Sequence, residues 1–579
     1  MYINPLTQKD GYKVDHRRQY PEGSNQVYTN NTHRSDKLGK YLRDYWEGKI
    51  THYGLNAFVQ WFLIDTWNNN FFNLDKDTVV RSYKRRIDNY LGKDAITVEH
   101  IEELHDLGYL PIVIKSLPEG SQVPIGVPTF TITNTLPEFF WLPNFLETAI
   151  SSEVWKPTVI ATVANQYRKL LTKFAEETGT PTDFVAIQGH DFSARGMSGL
   201  HDAGSSGSGH LTSFVGTDTI ASIDYVERYL QANSDEELVA CSVPATEHSV
   251  MCMGSYEDEL STFKRLITEV YPKGVVSIVS DTWDFWKVIT EYTKTLKQEI
   301  LNREVNEIGL AKTVFRPDSG DPVEILCGIK AKTVNFNGDF EEWKEWVADD
   351  INNTFTNELV AEDPHFSMED LYSFNGKYFK VTYTPDLNRH DKTYYYVDNW
   401  KDTVTYCTFE EVEMTPEKKG AVECLWDIFG GTVTEEGYKL LNERVGLIYG
   451  DAITLERAQE ILERLKEKGF ASGNVVFGIG SYTYQFNTRD TFGMALKATY
   501  GEVNGQGREL FKDPITDSGT KKSAKGLLKV DKDENGDFIL VQGVSKEEEK
   551  EGELKEIFRD GKLLIKEKLS DIRQRVLES

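Results

Sequence analysis

With 579 residues, 39% of them hydrophobic and 27% charged, the chain can build a packed core, and its length allows about four ordinary units, or fewer if one is an α/β barrel. A formal net charge of −27 excludes general nucleic-acid binding, which needs a cationic footprint, but leaves room for a local basic pocket around a phosphate ligand. The five cysteines (Cys241, Cys252, Cys327, Cys407, Cys424) form no CxxC pair, the start of the sequence shows no apolar signal-peptide core, and no apolar run approaches the ~20 residues of a membrane span, so a reducing cytoplasm is expected.

Residues 1–60 are polar and aromatic, and the segment DGYKVDHRRQYP (10–21) reads as a solvated arm, with a ligand-facing arm as the sharper alternative. Apolar spacing predicts helices over 55–66, through Leu55, Phe58 and Phe62, and over 79–91. LPIVIKSLPEG and VPTFTITNT read as strands broken by Pro and Gly, followed by helices over 138–152 and 157–177.

From about residue 182 apolar runs alternate with helical segments, and each run ends in polar residues. FVAIQ leads into His190, Asp191, Phe192 and Arg195; LTSFVG into Asp218; CSVPA into Glu247 and His248; VVSIVS into Asp281; TVF into Arg316 and Asp318; VGLIY into Gly450 and Asp451; and VVFG into Gly480 and Ser481. A helix is expected from about Trp283 to Asn302, and Thr454 is placed to cap another. The alternation argues for a parallel β/α architecture, and polar groups at successive strand tips are what the open face of a barrel shows. A histidine beside a carboxylate can act as nucleophile or proton carrier. Taken alone, a surface histidine after a glutamate is the commoner explanation of His248; six or seven such loops together point to a convergent site.

Residues 328–436 interrupt this pattern. They carry the acidic DFEEWKEWVADD and the period-two runs KYFKVTYT, KTYYYVDN and TVTYCTFEEVE, which predict a helix followed by an antiparallel β element with no chemistry assigned. Near the end, LLKV and FILV flank DENG as a hairpin with an Asn-Gly turn, and the charged stretches after it read as a solvated helix face. Lys512, Lys521, Lys522 and Lys525 form a basic island, read as solvated lysines or as phosphate contacts.

Several motifs are missing: GxxxxGK[ST], a convincing GxGxxG, GxSxG and HExxH. The glycine-rich stretch 204–209 reads as a flexible turn, and His201 and His210 lack metal-ligand spacing, so no zinc site is expected.

Taken together and in order, DGYKV with HRRQYP, HDFSARG (190–196), GTDT (216–219), SVPATEHS (242–249), SDTWD (280–284), RPDSGDP (316–322), YGD (449–451), FGIG with NTRD (477–490) and FKDP (511–514) resemble the nicotinamide-using type II phosphoribosyltransferases. The resemblance implies condensation of nicotinamide with phosphoribosyl pyrophosphate, with Mg²⁺ as cofactor and ATP hydrolysis through a phosphohistidine assisting. It implies an irregular β/α barrel plus an α/β sandwich from both chain ends, and a homodimer with shared active sites. The corresponding boundaries are 1–180 for the first part of the sandwich, 181–327 and 437–490 for the barrel, 328–436 for the β-rich insertion, and 491–579 for the rest of the sandwich.

Carried over by position, Phe192 resembles the ring that stacks on the pyridine, with Tyr12 of the partner on its other face, and Asp218 the carboxylate that accepts from the amide. Arg195 and Arg316 resemble guanidiniums near base and phosphates. His248 resembles the phosphorylated histidine with Glu247 and Asp281 as acidic neighbours, and Asp318 the acid near ribose and metal. Gly450, Asp451, Gly480 and Ser481 fall in loops that hold ribose and 5′-phosphate. Arg34, Arg489, Lys497, Lys512 and Lys521 resemble phosphate ligands reaching across the dimer. Two departures stand out: GIGSYTY replaces the family's usual run of glycines, so Ser481 and Tyr482 tighten or block that pocket, and the long insertion lacks a counterpart in shorter members. Three alternatives compete: the nicotinate enzyme of the same superfamily, which Asp218 disfavours; a non-catalytic dimeric barrel; and a metal-dependent phosphate-ester hydrolase, which the aromatic HDF motif disfavours.

Overall fold

The structure, a computed structural model, describes residues 3–39, 42, 46–333, 336–354, 368–375, 377–385, 405–450, 453–511 and 524–578. By its contacts the chain divides into two units, one of residues 1–244, 448–459 and 475–579, the other of 245–447 and 460–474. The mixed α/β class expected from the sequence is the one adopted: parallel strands with helices between them, an antiparallel sheet built from both chain ends, and a β-rich insertion.

In the first unit a seven-stranded antiparallel sheet runs in the order Gln506–Glu509, Met494–Val503, Ser24–His33, Pro128–Asn134, Ile112–Ser116, Lys555–Arg559 and Lys562–Leu563. The segment 10–21, expected as a solvated arm, is anchored through buried Lys13 and Val14, and it leads into the sheet's third strand. SNQVYTNNTH is polar, yet Val27 to Asn31 are buried, and the side-chain N–H groups of Asn30 and Asn31 are matched. Asn31 Nδ2 donates to Thr129 Oγ1 at 2.8 Å, and Asn30 Nδ2 donates to the Lys497 carbonyl at 3.1 Å. Leu6 and Val14, upstream, belong to the apolar core that the helical stretch 55–72 and the helices Lys76–Leu91 and Glu99–Leu107 share.

Two helices expected over 138–152 and 157–177 are one, Leu142–Thr178, with Pro157 inside it. A mid-helix proline loses one hydrogen bond and needs room for its ring. The room comes from Gly54, at φ +95°, where a Cβ would lie 2.9 Å from the proline ring. Against this helix packs Leu200–His210, the glycine-rich stretch expected as a flexible turn. Its glycines permit contact: a Cβ on Gly209 would meet the Pro157 carbonyl at 2.9 Å.

FVAIQ, expected as a strand, is helical over Val185–Gln188, and LTSFVG contributes only its last residue to the short strand Gly216–Thr217. Short apolar runs suit buried helix and buried strand alike, and here the strand begins one step later, at Gly189–Asp191, where the backbone pairs in parallel with Gly216–Thr217 and with Phe477–Ile479. The charged stretches near the end are not a helix face. They give a short turn at Glu548–Lys550 and the strand Lys555–Arg559, which pairs between Ile112–Ser116 and Lys562–Leu563, and the terminal helix is Leu569–Leu577. The DENG hairpin forms as expected, with Gly536 at φ +85°.

In the second unit Gly274–Val279, Ala311–Arg316 and residues 445–447 lie parallel in that order. The helix expected over 283–302 is present: it runs without a break from Phe285 to Thr295, widened to π turns at Val288–Tyr292, and after Leu296 it resumes as Lys297–Leu301. The insertion has its own core: Phe340–Thr354 packs Trp343, Val347 and Ile351 against the strands Met368–Phe374, Lys377–Pro385 and Thr405–Val412. KTYYYVDN lies outside the described residues. Gly328 and Gly420 cross at backbone contact at the insertion's ends, and Lys468 Nζ donates to the Cys327 and Lys419 carbonyls at 2.8 and 2.7 Å.

Candidate active site

In the second unit the strand tips gather one histidine, two acids and an arginine. The main chain before His248 is fixed by the neighbouring strand: Thr246 N donates to the Ser277 carbonyl at 3.0 Å, and Thr246 Oγ1 accepts from Val279 N at 2.9 Å. The imidazole is 49% exposed, with Nδ1 3.2 Å from Thr282 Oγ1. Its Nε2 faces Asp281 at 3.9 Å and Asp318 at 3.8 Å. Asp281 is 5% exposed, and its Oδ2 accepts from Asp318 N at 2.9 Å and from Ser319 Oγ at 2.5 Å. Its Oδ1 is buried and has no hydrogen-bond partner. Arg316 Nη2 donates to the Thr246 carbonyl at 2.9 Å, and its Nε lies 3.4 Å from Asp318. Glu247 turns aside: its carboxylate accepts from the Ser249 hydroxyl, so the acids facing the imidazole are Asp281 and Asp318.

In the first unit three polar side chains meet at the ends of Gly189–Asp191 and Gly216–Thr217. His190 Nε2 lies 2.9 Å from Asp218 Oδ1, and Ser242 Oγ donates to the same oxygen at 2.6 Å. Asp218 N donates to the Asp191 carbonyl at 2.9 Å, and Asp191 Oδ1 accepts from Ser193 N at 2.8 Å. The Phe192 ring lies against His190, with centroids 4.8 Å apart. A glycine is obligatory beneath it, because a Cβ on Gly478 would lie 2.7 Å from the Phe192 ring and from the Gly450 Cα. Arg195 is exposed on a turn whose Gly196 touches Ser481: a Cβ there would be 2.1 Å from the serine hydroxyl. A Cβ on Gly480 would meet open space. His210 is occupied structurally: Tyr484 Oη donates to its Nδ1 at 2.7 Å and its Nε2 donates to the Gly216 carbonyl at 2.9 Å, and burial pushes it down to about 4.

The same unit carries a group of cations. Lys497 pairs across the sheet with Asn30; burial lowers its pKa, and Arg34, Lys13 and Arg489 lower it further, against Glu147. Tyr12 is 64% exposed, its hydroxyl pKa raised by partial burial and by the charges of Asp10 and Glu147. Asp451, Lys512 and Lys521 lie outside the described residues.

The sequence reading gave no role to His190, Ser242, Thr282 or Ser319, although all four sit in or beside motifs it singled out. Which side chain turns onto Asp218 or Asp281 depends on strand pairing, which no local pattern records.

Parallel strands with acids, histidine and arginine at their tips, and an antiparallel sheet built from both chain ends, fit a phosphoribosyltransferase of the nicotinate phosphoribosyltransferase (NAPRTase) family, and the chain belongs to that family, whose model matches residues 187–357 and 406–562. It is 53% identical over 576 residues to a nicotinamide phosphoribosyltransferase of Acinetobacter baylyi, covering 100% of this chain and 97% of that one. A protein of the same name from Mycoplasma pneumoniae is 29% identical over 94% of this chain and 98% of its own. Among solved structures, nicotinate-nucleotide pyrophosphorylase from Pyrococcus furiosus matches with a TM-score of 0.47 at 13% identity, covering 100% and 97% of the two chains.

Proposed function

We propose that the chain is a pentosyltransferase that joins nicotinamide to the ribosyl carbon of phosphoribosyl pyrophosphate, giving nicotinamide mononucleotide and pyrophosphate in NAD salvage. The observation that carries this reading is the full-length similarity to the A. baylyi enzyme, joined to a carboxylate, Asp218, placed beside an aromatic ring, Phe192. The bond from ribose C1 to the pyrophosphate oxygen breaks, the oxygen leaves with the electron pair, and the pyridine nitrogen supplies the pair for the new C1–N bond. Phe192 fixes the pyridine plane, and Tyr12 of a second copy would close its other face; that ring's exposure leaves it available. Asp218, held by Ser242 and His190, accepts from the carboxamide N–H and repels a carboxylate, which disfavours nicotinate as the base. Arg316 in the one unit, and the cations Arg34, Lys497 and Arg489 in the other, are each suited to a phosphate.

The partnerless Asp281 oxygen and the neighbouring Asp318 carboxylate fit Mg²⁺, which takes one or two carboxylates and completes its shell with phosphate oxygens and water. Bound there, the ion would neutralise charge on the departing pyrophosphate. ATP assistance runs through His248: with Nδ1–H donated to Thr282, the Nε2 lone pair is free to attack the γ-phosphorus of ATP, ADP leaves, and a phosphoimidazole remains beside Asp281 and Asp318. Five free cysteines suit a reducing cytoplasm, and no helix among the described residues is long and apolar enough to cross a membrane.

The test is to incubate the purified chain with phosphoribosyl pyrophosphate, Mg²⁺ and either nicotinamide or nicotinate, with and without ATP. Mononucleotide from nicotinamide, and far less from nicotinate, is expected. Product from nicotinate alone would hand the reading to the nicotinate enzyme, and no product from either base would end it.

A further inference from the structure

A buried lysine that the mechanism leaves unused lies under the loop of Arg195. Lys156 sits mid-helix in Leu142–Thr178 with its side chain only 7% exposed. Its Nζ donates to Asp202 Oδ2 and to Gln485 Oε1. The ring then closes. Asp202 Oδ2 accepts from Ser198 N at 2.7 Å, and Gln485 Nε2 donates to Ser198 Oγ at 2.9 Å. Asp202 Oδ1 is used as well, accepting from Ser206 Oγ at 2.9 Å. Ser198 follows Arg195 by three residues, and Gln485 ends the helical turn Ser481–Gln485 that starts at Gly480. The same two loops touch again at their other ends, where Gly196 packs on Ser481.

A buried ammonium is retained only where its partners satisfy it, and neither partner lies on the helix that carries it: Gln485 ends the turn after Gly480, and Asp202, in the first turn of Leu200–His210, holds the Arg195 loop through Ser198 N. The loop after Gly480 also departs from a run of glycines. Ser481 and Tyr482 give it side chains that must be kept out of the space a 5′-phosphate needs, and the tie at Gln485 holds the turn from behind.

We propose that Lys156 is a positioning residue for phosphoribosyl pyrophosphate: its ammonium locks the turn behind Arg195 to the helical turn after Gly480, so that the two loops present their ligand groups as one rigid pair. The inference rests on the function proposed above, but one arm of its test does not. Full-length wild type, Lys156→Met, Lys156→Arg and Gln485→Ala are compared in steady-state kinetics with nicotinamide and phosphoribosyl pyrophosphate, and in amide hydrogen exchange over 193–199 and 480–487.

Lys156→Met is expected to raise KM for phosphoribosyl pyrophosphate by about tenfold or more with kcat within about threefold, because ligand groups are misplaced rather than removed. Both segments exchange faster together, Gln485→Ala shows a smaller rise of the same kind, and Lys156→Arg restores most of the wild-type KM. Gln485→Ala keeps the Lys156–Asp202 pair, so it decides the matter if Lys156→Met does not accumulate as folded protein. An unchanged KM in both truncations, or exchange that rises in one segment only, overturns the proposal. If wild type makes no mononucleotide, the function falls, and the exchange arm alone decides whether Lys156 couples the loops.

Discussion

At the scale of single residues, the site is built from hydrogen bonds that fix charge and direction. Asp218 accepts from Ser242 at 2.6 Å and has His190 at 2.9 Å, so its carboxylate is aimed rather than free to swing. Replacing it by Asn or Ser removes the repulsion of a carboxylate substrate. The expected outcome is a shift in the ratio of kcat/KM for nicotinamide over nicotinate by about tenfold or more toward the acid, since one charged contact is worth roughly 1.5–3 kcal/mol. Base competition assays measure this ratio, and an unmoved ratio would refute the role. For His248→Ala, ATP stimulation and nicotinamide-dependent ADP release are expected to vanish while the uncoupled transfer persists. Acid-labile phosphate retained on the variant would show that another residue is the acceptor. The residue types of the site were legible in the sequence, because acids, histidine and arginine recur after apolar runs. Their partners were not: Ser242 and Asp218 are 24 residues apart, and Asp281 and Ser319 are 38 apart.

Among the elements, the insertion is the clearest case of a part with its own logic. Trp343, Tyr372 and Phe379 give it a private core, and its two ends meet, with Ile329 N donating to the Lys418 carbonyl at 2.9 Å. A backbone pair of that kind can be closed by a two-residue turn. Replacing 330–417 by Asn-Gly, which leaves the Lys468 staple to Cys327 and Lys419 in place, is therefore expected to give a folded protein that still makes mononucleotide, with KM values within about threefold of the parent. Loss of folding, followed by circular dichroism and gel filtration, would show that the insertion contributes to the unit that carries it. The alternating aromatic runs made two of the insertion's strands, Lys377–Pro385 and Thr405–Val412, readable from period two, while Met368–Phe374 was not singled out. FVAIQ was misread for the opposite reason: four successive apolar residues carry no period, and only the pairing of His190 with Gly216 and Gly478 says where the strand starts.

On the scale of the whole molecule, ionisation couples buried groups to stability. Glu119 accepts from Asn56 N at 2.7 Å at the start of the helical stretch 55–72; burial raises its pKa to about 8, the backbone N–H groups of Asn56, Gly54 and Leu55 oppose the rise, and Glu567 adds to it. A carboxyl raised above its unfolded value of 4.5 binds its proton more tightly in the folded state. Its contribution is complete below pH 4.5 and is lost as pH rises through about 8. Glu119→Gln keeps an acceptor for Asn56 N and removes the ionisation, so its Tm relative to wild type is expected to climb between pH 5 and pH 9, by a few degrees. A flat difference in thermal melts across that range would contradict the assignment. On the acid side, burial lowers His33 to about 4 and His52 to about 3, so each withdraws stability as pH falls from 6.5 toward those values.

By itself the sequence determined the class of architecture, the order of the ligand loops and the types of chemical group they carry, because period, turn residues and the sign of charge are local properties of the chain. Tertiary structure alone decided that a polar N-terminal segment is a central strand, that a proline lies inside an unbroken helix against Gly54, and that Lys156 ties two ligand loops together. Each of these depends on a partner more than forty residues away, and what a side chain touches at that distance is set by how the elements pack and not by its neighbours in sequence.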